Sequence, residues 1–143
     1  MDETAPTIVL VDGYTDDRKY WVNWLRVAAP EYRVLEADTG AEGFALCLSH
    51  RVDCVVMEMT LPDMPGFELL ISLIPLAQKP TIPVIILTRL NFPPVARLAK
   101  SNGAQAYLVK ARATGDQLDV EILKAIATVG GMAKEPLQPF SSF

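Results

Sequence analysis

Four polar residues stand directly after four short apolar runs. Asp12 follows Ile8-Val9-Leu10-Val11, and Glu58 follows Cys54-Val55-Val56-Met57. Thr88 follows Val84-Ile85-Ile86-Leu87, and Lys110 follows Tyr107-Leu108-Val109. Taken singly, each suits a turn, a helix entry or a solvated strand end. Taken together they are two carboxylates, a hydroxyl and an ammonium, a set able to join in charge-assisted hydrogen bonds, and their joint placement points to a site.

The elements that would bring them together are legible from periodicity. The apolar runs read as buried strands, with a further short strand over 32–36. Between them lie helical patterns. Tyr20, Trp21, Trp24, Leu25 and Ala28 place an amphipathic helix over 16–28, ended by Pro30. Thr39 and Glu42 have capping-box spacing before a helix over 40–49. Phe67, Leu70, Ile71 and Ile74 predict a helix over 66–76, after a loop punctuated by Pro62, Pro65 and Gly66. Pro93-Pro94 suits the first turn of a helix over 93–102, with Gly103 as its C-terminal cap. Thr114 and Gln117 open a last helix ending near Val129, before Gly130-Gly131. Five repeats of strand then helix, with continuous Val/Ile/Leu strands and no hairpin signal, predict a doubly wound parallel α/β sandwich. In such sheets function collects at the carboxyl ends of the strands.

Composition narrows the chemistry. The chain has 143 residues, half of them hydrophobic, which suits one domain over 1–129 followed by a linker or tail over 130–143. A net charge of -4 with no Lys/Arg run argues against a nucleic-acid surface. Cys47 and Cys54 sit in apolar stretches and read as reduced core thiols. His50 is the only histidine, so zinc sites and histidine-based triads lack material. No apolar stretch has the length of a signal peptide or a membrane span, and the expected location is cytoplasmic.

The segments Val9-Leu10-Val11-Asp12, Leu61-Pro62-Asp63-Met64-Pro65-Gly66, Ile85-Ile86-Leu87-Thr88 and Gly103-Ala104-Gln105-Ala106-Tyr107-Leu108-Val109-Lys110 resemble the landmarks of response-regulator receiver domains, in order and at family spacing. The resemblance spans residues 7–129. It implies a flavodoxin-like (βα)5 fold with strand order 2-1-3-4-5, as the general rule for this fold class describes. It also implies a signalling role in two-component phosphorelays, with a sensor histidine kinase or a downstream signalling protein as partner. In the family, an aspartate at the end of the third strand accepts a phosphoryl group with the help of Mg²⁺.

Three departures stand out. The acceptor position holds Glu58, which keeps the charge on a longer arm. Gly13 stands where the family has a second acid after the first strand, and Ala111 stands where most receivers have proline. The acidic pocket would then comprise Asp12, Glu58 and Thr60, with at most a weak Mg²⁺ site and no required cofactor. Asp16 and Asp17 read as dipole partners at the start of the first helix, with compensation for the acid missing at position 13 as the alternative. The longer Glu58 arm is expected to reach Lys110. Thr88 and Tyr107 match the family's switch pair. Arg89, Leu90, Arg97, Leu98 and Tyr107 would line the face of the fourth helix, fifth strand and fifth helix, a surface for a partner or a second copy. Trp21 and Trp24 are expected to pack on the sheet rather than form a docking site.

The leading expectation is a non-enzymatic, atypical receiver that signals through protein contacts, with Glu58 as a phosphomimic. The alternative is an active phospho-receiver that uses Asp12 or another acceptor with Mg²⁺. A third reading keeps only the fold, as a small-ligand flavodoxin-like protein. The lack of a Gly-rich or hydroxyl-rich phosphate loop after the first strand counts against it.

Overall fold

The computed structural model describes residues 5–129; the expected tail over 130–143 lies outside them. In chain order the elements are β1 (Thr7–Val11), α1 (Thr15–Ala28), β2 (Arg33–Ala37), α2 (Gly40–Ser49), β3 (Cys54–Met57), α3 (Gly66–Leu73), β4 (Val84–Thr88), α4 (Pro93–Ser101), β5 (Ala106–Val109) and α5 (Gly115–Val129). The five strands form one parallel sheet in the order β2-β1-β3-β4-β5. The doubly wound parallel sandwich is the one predicted from the strand–helix alternation, and its order is the flavodoxin-like one that the family resemblance implies.

The central strands β1, β3 and β4 are buried along their whole length and almost wholly apolar because both faces are covered, while edge strand β2 carries exposed Arg33 and half-buried Glu36; alternate residues feed two separate cores. Val9, Val11, Val55, Met57, Val84 and Ile86 point to one side, where Leu69, Leu70 and Leu73 of α3, Cys47 of α2 and Ala99 of α4 meet them. Ile8, Leu10, Cys54, Val56, Ile85 and Leu87 point to the other, against Trp21, Val22 and Leu25 of α1 and Leu118, Ile122 and Ala125 of α5. Trp21 is buried and Trp24 packs beside this second core, so both rings face inward. Cys47 and Cys54 are buried free thiols.

Helix ends follow their local chemistry, with one correction. The Thr39 hydroxyl accepts from Glu42 N, and the Thr114 hydroxyl accepts from Gln117 N, both at 3.1 Å. Gly103 takes φ +102 after α4, a conformation glycine adopts without penalty. The helix expected over 66–76 stops at Leu73. Pro75 lacks the N–H needed to continue it and disfavours helical geometry at Ile74, so Leu76 is left exposed at 61%. Among the described residues no helix is long and apolar enough to cross a membrane.

Candidate functional site

The register of the sheet sets the strand ends side by side. Val11 pairs with Met57, and Thr88 pairs with Val109, so Asp12, Glu58, Thr88 and Lys110 emerge at one edge. Backbone bonds continue the ladder through them: Glu58 N donates to Val11 O at 2.9 Å, and Lys110 N donates to Thr88 O at 2.8 Å. Asp12, Glu58 and Thr88 are buried, at 2%, 1% and 0% exposure. A carboxylate so placed must be paired or hydrogen-bonded, because burying an isolated charge is very costly.

Glu58 is surrounded by donors. Its Oε1 accepts from the Thr88 hydroxyl, from Met59 N at 2.8 Å and from Thr60 N at 3.3 Å. Its Oε2 accepts from Arg89 N at 3.1 Å and lies 2.8 Å from Lys110 Nζ. The extra methylene of glutamate lets one carboxylate span the ends of β3, β4 and β5. Thr60 therefore serves the pocket through its main-chain N–H.

Lys110 binds three carboxylates at once. Besides Glu58, its ammonium lies 2.7 Å from Asp12 Oδ2 and 2.9 Å from Asp17 Oδ2. Burial works against the charged lysine, but hydrogen bonds to Asp12, Glu58 and Asp17 outweigh it, and its pKa stands above the ordinary value. For Asp12 burial dominates and raises the pKa against the opposing bond from Lys110. The other oxygen of Asp12 accepts from Tyr14 N at 2.8 Å, an Asx-type turn that leads the chain into α1.

Two expectations are corrected at the pocket's outer wall. Asp17 is not simply a dipole partner of α1. It pairs with Lys110 and, through Oδ2 at 2.8 Å and Oδ1 at 3.2 Å, with the Arg89 guanidinium. The bond from Arg89, aided by Lys110, lowers the Asp17 pKa to about 2. Arg89 in turn does not belong to the α4–β5–α5 face. Its side chain crosses from the β4–α4 loop to α1 and stacks 3.7 Å over the centre of the Tyr14 ring. Tyr14, which periodicity did not single out, is the platform. The one sequence signal was its type: an aromatic where a helix normally begins with Ser, Thr, Asp or Asn. Beside this wall lies an open cleft of ≈ 480 Å³, bordered by Asp17, Tyr20, Trp21, Arg89 and Lys110.

Thr88, Leu90 and Tyr107 are joined through the β4–α4 loop. The Tyr107 hydroxyl donates to Leu90 O at 2.7 Å, and Leu90 N donates to the Thr88 hydroxyl oxygen at 3.1 Å. A continuous path thus runs from Glu58 through Thr88 and Leu90 to Tyr107. Arg97 and Leu98 are exposed on α4, with Leu98 at 52%.

The loop between β3 and α3 closes the pocket from below. Asp63 accepts from Gly40 N at 2.8 Å and Ala41 N at 3.0 Å, satisfying free amides at the start of α2. Pro62 packs against Gly13, where a Cβ would lie 2.7 Å from Pro62 Cδ. The residues do not fit a divalent cation as they stand. Gly13 offers no carboxylate, both Glu58 oxygens are taken, and the point where three carboxylates converge is filled by the Lys110 ammonium. No group of three or more His, Cys, Asp or Glu side chains among the described residues is disposed to hold a metal ion.

Comparison with known proteins agrees with this architecture. Residues 8–122 match the family described as "Response regulator receiver domain". The two-component response regulator ORR3 of Oryza sativa subsp. indica is 30% identical over 111 residues, covering 77% of this chain and 83% of that protein. Protein PilH of Pseudomonas aeruginosa is 34% identical over 79 residues, covering 55% of this chain and 65% of PilH. Among solved structures, a CheY-like receiver domain from Methanospirillum hungatei superposes with a TM-score of 0.78 at 23% identity, covering 90% of this chain and 98% of that one. A receiver domain from Clostridium thermocellum gives 0.76 at 26% identity, covering 86% and 95%. With the fold, the strand-end cluster and a match running through most of the chain in agreement, the protein belongs to the response-regulator receiver family.

Proposed function

We propose that this chain is an atypical receiver whose Glu58 stands in the place of the phospho-accepting aspartate and acts as a built-in phosphomimic, so that the domain signals through protein contacts without aspartate phosphorylation. The observation that carries the reading is the saturation of the Glu58 carboxylate. A hydroxyl, three main-chain amides and an ammonium converge on it. That donor set is suited to a phosphoryl group's oxygens, and the protein supplies its own acceptor for it. Asp12 is a poor alternative acceptor, because it is 2% exposed and both its oxygens are engaged.

The output surface is the α4–β5–α5 face, carried by Arg97, Leu98, Leu90 and Tyr107, with Arg89 excluded by its pairing with Asp17 and Tyr14. Exposed Val120 and Leu123 add apolar area on α5. A partner protein or a second copy would dock there, and the domain itself would catalyse nothing. The test is to treat wild type with acetyl phosphate and Mg²⁺, recording intact mass and the amide shifts of Leu90 and Tyr107. Glu58→Gln is recorded untreated, and the oligomeric state of both is measured. The expected result is no mass gain in wild type, and displaced Leu90 and Tyr107 signals in Glu58→Gln. Stable phosphoryl uptake by wild type, or a Glu58→Gln spectrum unchanged at Leu90 and Tyr107, overturns the reading.

A further inference from the structure

Asp12, Asp17 and Glu58 each present one oxygen to a single point, at 2.7, 2.9 and 2.8 Å from Lys110 Nζ. Like charges gathered so closely need a cation among them. In this chain an ammonium fills that point. The other oxygens are committed too: Asp12 Oδ1 to Tyr14 N, Asp17 Oδ1 to Arg89, and Glu58 Oε1 to Thr88, Met59 and Thr60. A second cation, the Arg89 guanidinium, covers the outer side. It lies over the Tyr14 ring, and Lys110 Nζ is 5.1 Å from the centre of that ring. Position 13 offers no carboxylate, and a Cβ there would lie 2.7 Å from Pro62 Cδ and 3.2 Å from Asp38 O, so a side chain would have to displace the Pro62 ring.

We propose that Lys110, backed by Arg89 on the Tyr14 platform, is the resident cation of this pocket, and that it excludes divalent metal from the point where the three carboxylates converge. Mg²⁺ needs oxygens at about 2.1 Å in near-octahedral array and sheds water reluctantly. To enter, it would have to expel a lysine held by three carboxylates and recover oxygens already bound to main-chain amides. The lysine is therefore an obstacle of its own, added to the missing carboxylate at Gly13. With Lys110 neutralised, three acids would face one another, and only protonation or an outside cation could relieve them. This inference does not rest on Glu58 acting as a phosphomimic. Metal exclusion is read at the pocket and the phosphomimic at Leu90 and Tyr107, so either can fail alone.

The experiment uses Mn²⁺ as a paramagnetic probe, followed by broadening of the Met59 and Arg89 amide signals in wild type and Lys110→Met. Wild type is expected to show no saturable broadening up to about 1 mM, a concentration at which a built carboxylate site would be filling. Lys110→Met is expected to bind at least about tenfold more tightly than wild type, with the three carboxylates freed as ligands. Because that variant leaves three acids unpaired, its thermal transition is also recorded with and without Mn²⁺. A transition raised or restored by the ion supports the proposal. Saturable sub-millimolar binding by wild type overturns it, and so does a Lys110→Met protein indifferent to the ion in both measurements.

Discussion

Replacing Glu58 by glutamine preserves shape and removes charge from the most densely bonded carboxylate in the domain. Five donors face it: the Thr88 hydroxyl and Met59 N and Thr60 N on one oxygen, Arg89 N and Lys110 Nζ on the other. A glutamine must turn its NH₂ toward one of these sets. Toward Arg89 and Lys110 it strands a main-chain N–H and breaks an ion pair. Toward Thr88 it opposes two amides, although the hydroxyl can rotate to accept. A stranded buried donor costs about 1–3 kcal/mol, and a hydrogen bond to a charged group contributes about 1.5–3 kcal/mol. The full penalty of breaking a buried pair is not reached, because Lys110 keeps Asp12 and Asp17. Relief of the repulsion that Glu58 exerts on Asp12 offsets part of the loss. The net expectation is a destabilisation of about 2–4 kcal/mol. Urea unfolding followed by the fluorescence of buried Trp21 reads it directly. With a slope of about 2 kcal/mol per molar, the midpoint falls by about 1–2 M. Glu36→Gln is the control, since that carboxylate is 34% exposed and its pairs with Arg18 and Arg26 are worth at most about 1 kcal/mol. A Glu58→Gln midpoint equal to the control's refutes the reasoning, because it means that the charge of Glu58 does not hold the network.

Asp17 gives the domain an acid limb. Its folded pKa, held down to about 2 by Arg89 and Lys110, lies below the unfolded value of 3.8, so its contribution is present above pH 3.8 and is lost as pH falls toward 2. Melting temperatures across that window should fall less steeply in Asp17→Asn than in wild type; parallel curves would show that Asp17 is unpaired in solution. Gly115→Ala should destabilise by about 1–3 kcal/mol, because a Cβ there would fall within the Trp24 ring and force it from its place; a neutral result would mean that Trp24 is free to move. Tyr107→Phe removes the hydroxyl that bonds Leu90 O and should cost about 1 kcal/mol while quickening amide exchange at Leu90 and Asn91. Unchanged exchange would show that the tyrosine does not tie down the β4–α4 loop.

The α/β class, the order of the ten elements and the four polar strand ends were legible in the sequence. A strand buried on both faces must be apolar throughout, and the first polar residue after it marks the sheet edge. Asp12, Glu58, Thr88 and Lys110 could be named for that reason, and parallel right-handed connection brings such ends together whatever the loops contain. Local pattern even reached the reach of Glu58, since the length of a side chain is a property of one residue. It failed where the deciding partner lies far along the chain. Arg89 looks like a surface residue after β4, and Asp17 like an ordinary acid in a first helical turn. Their pairing spans 72 residues, and that of Asp17 with Lys110 spans 93. Neither periodicity nor capping rules carry such distances. Only the packed sheet, which sets α1 beside the ends of β4 and β5, made Tyr14 a platform, drew Arg89 across to Asp17 and put an ammonium where three carboxylates converge. An exposed charge has many orientations of nearly equal free energy, so the neighbours supplied by the fold select one.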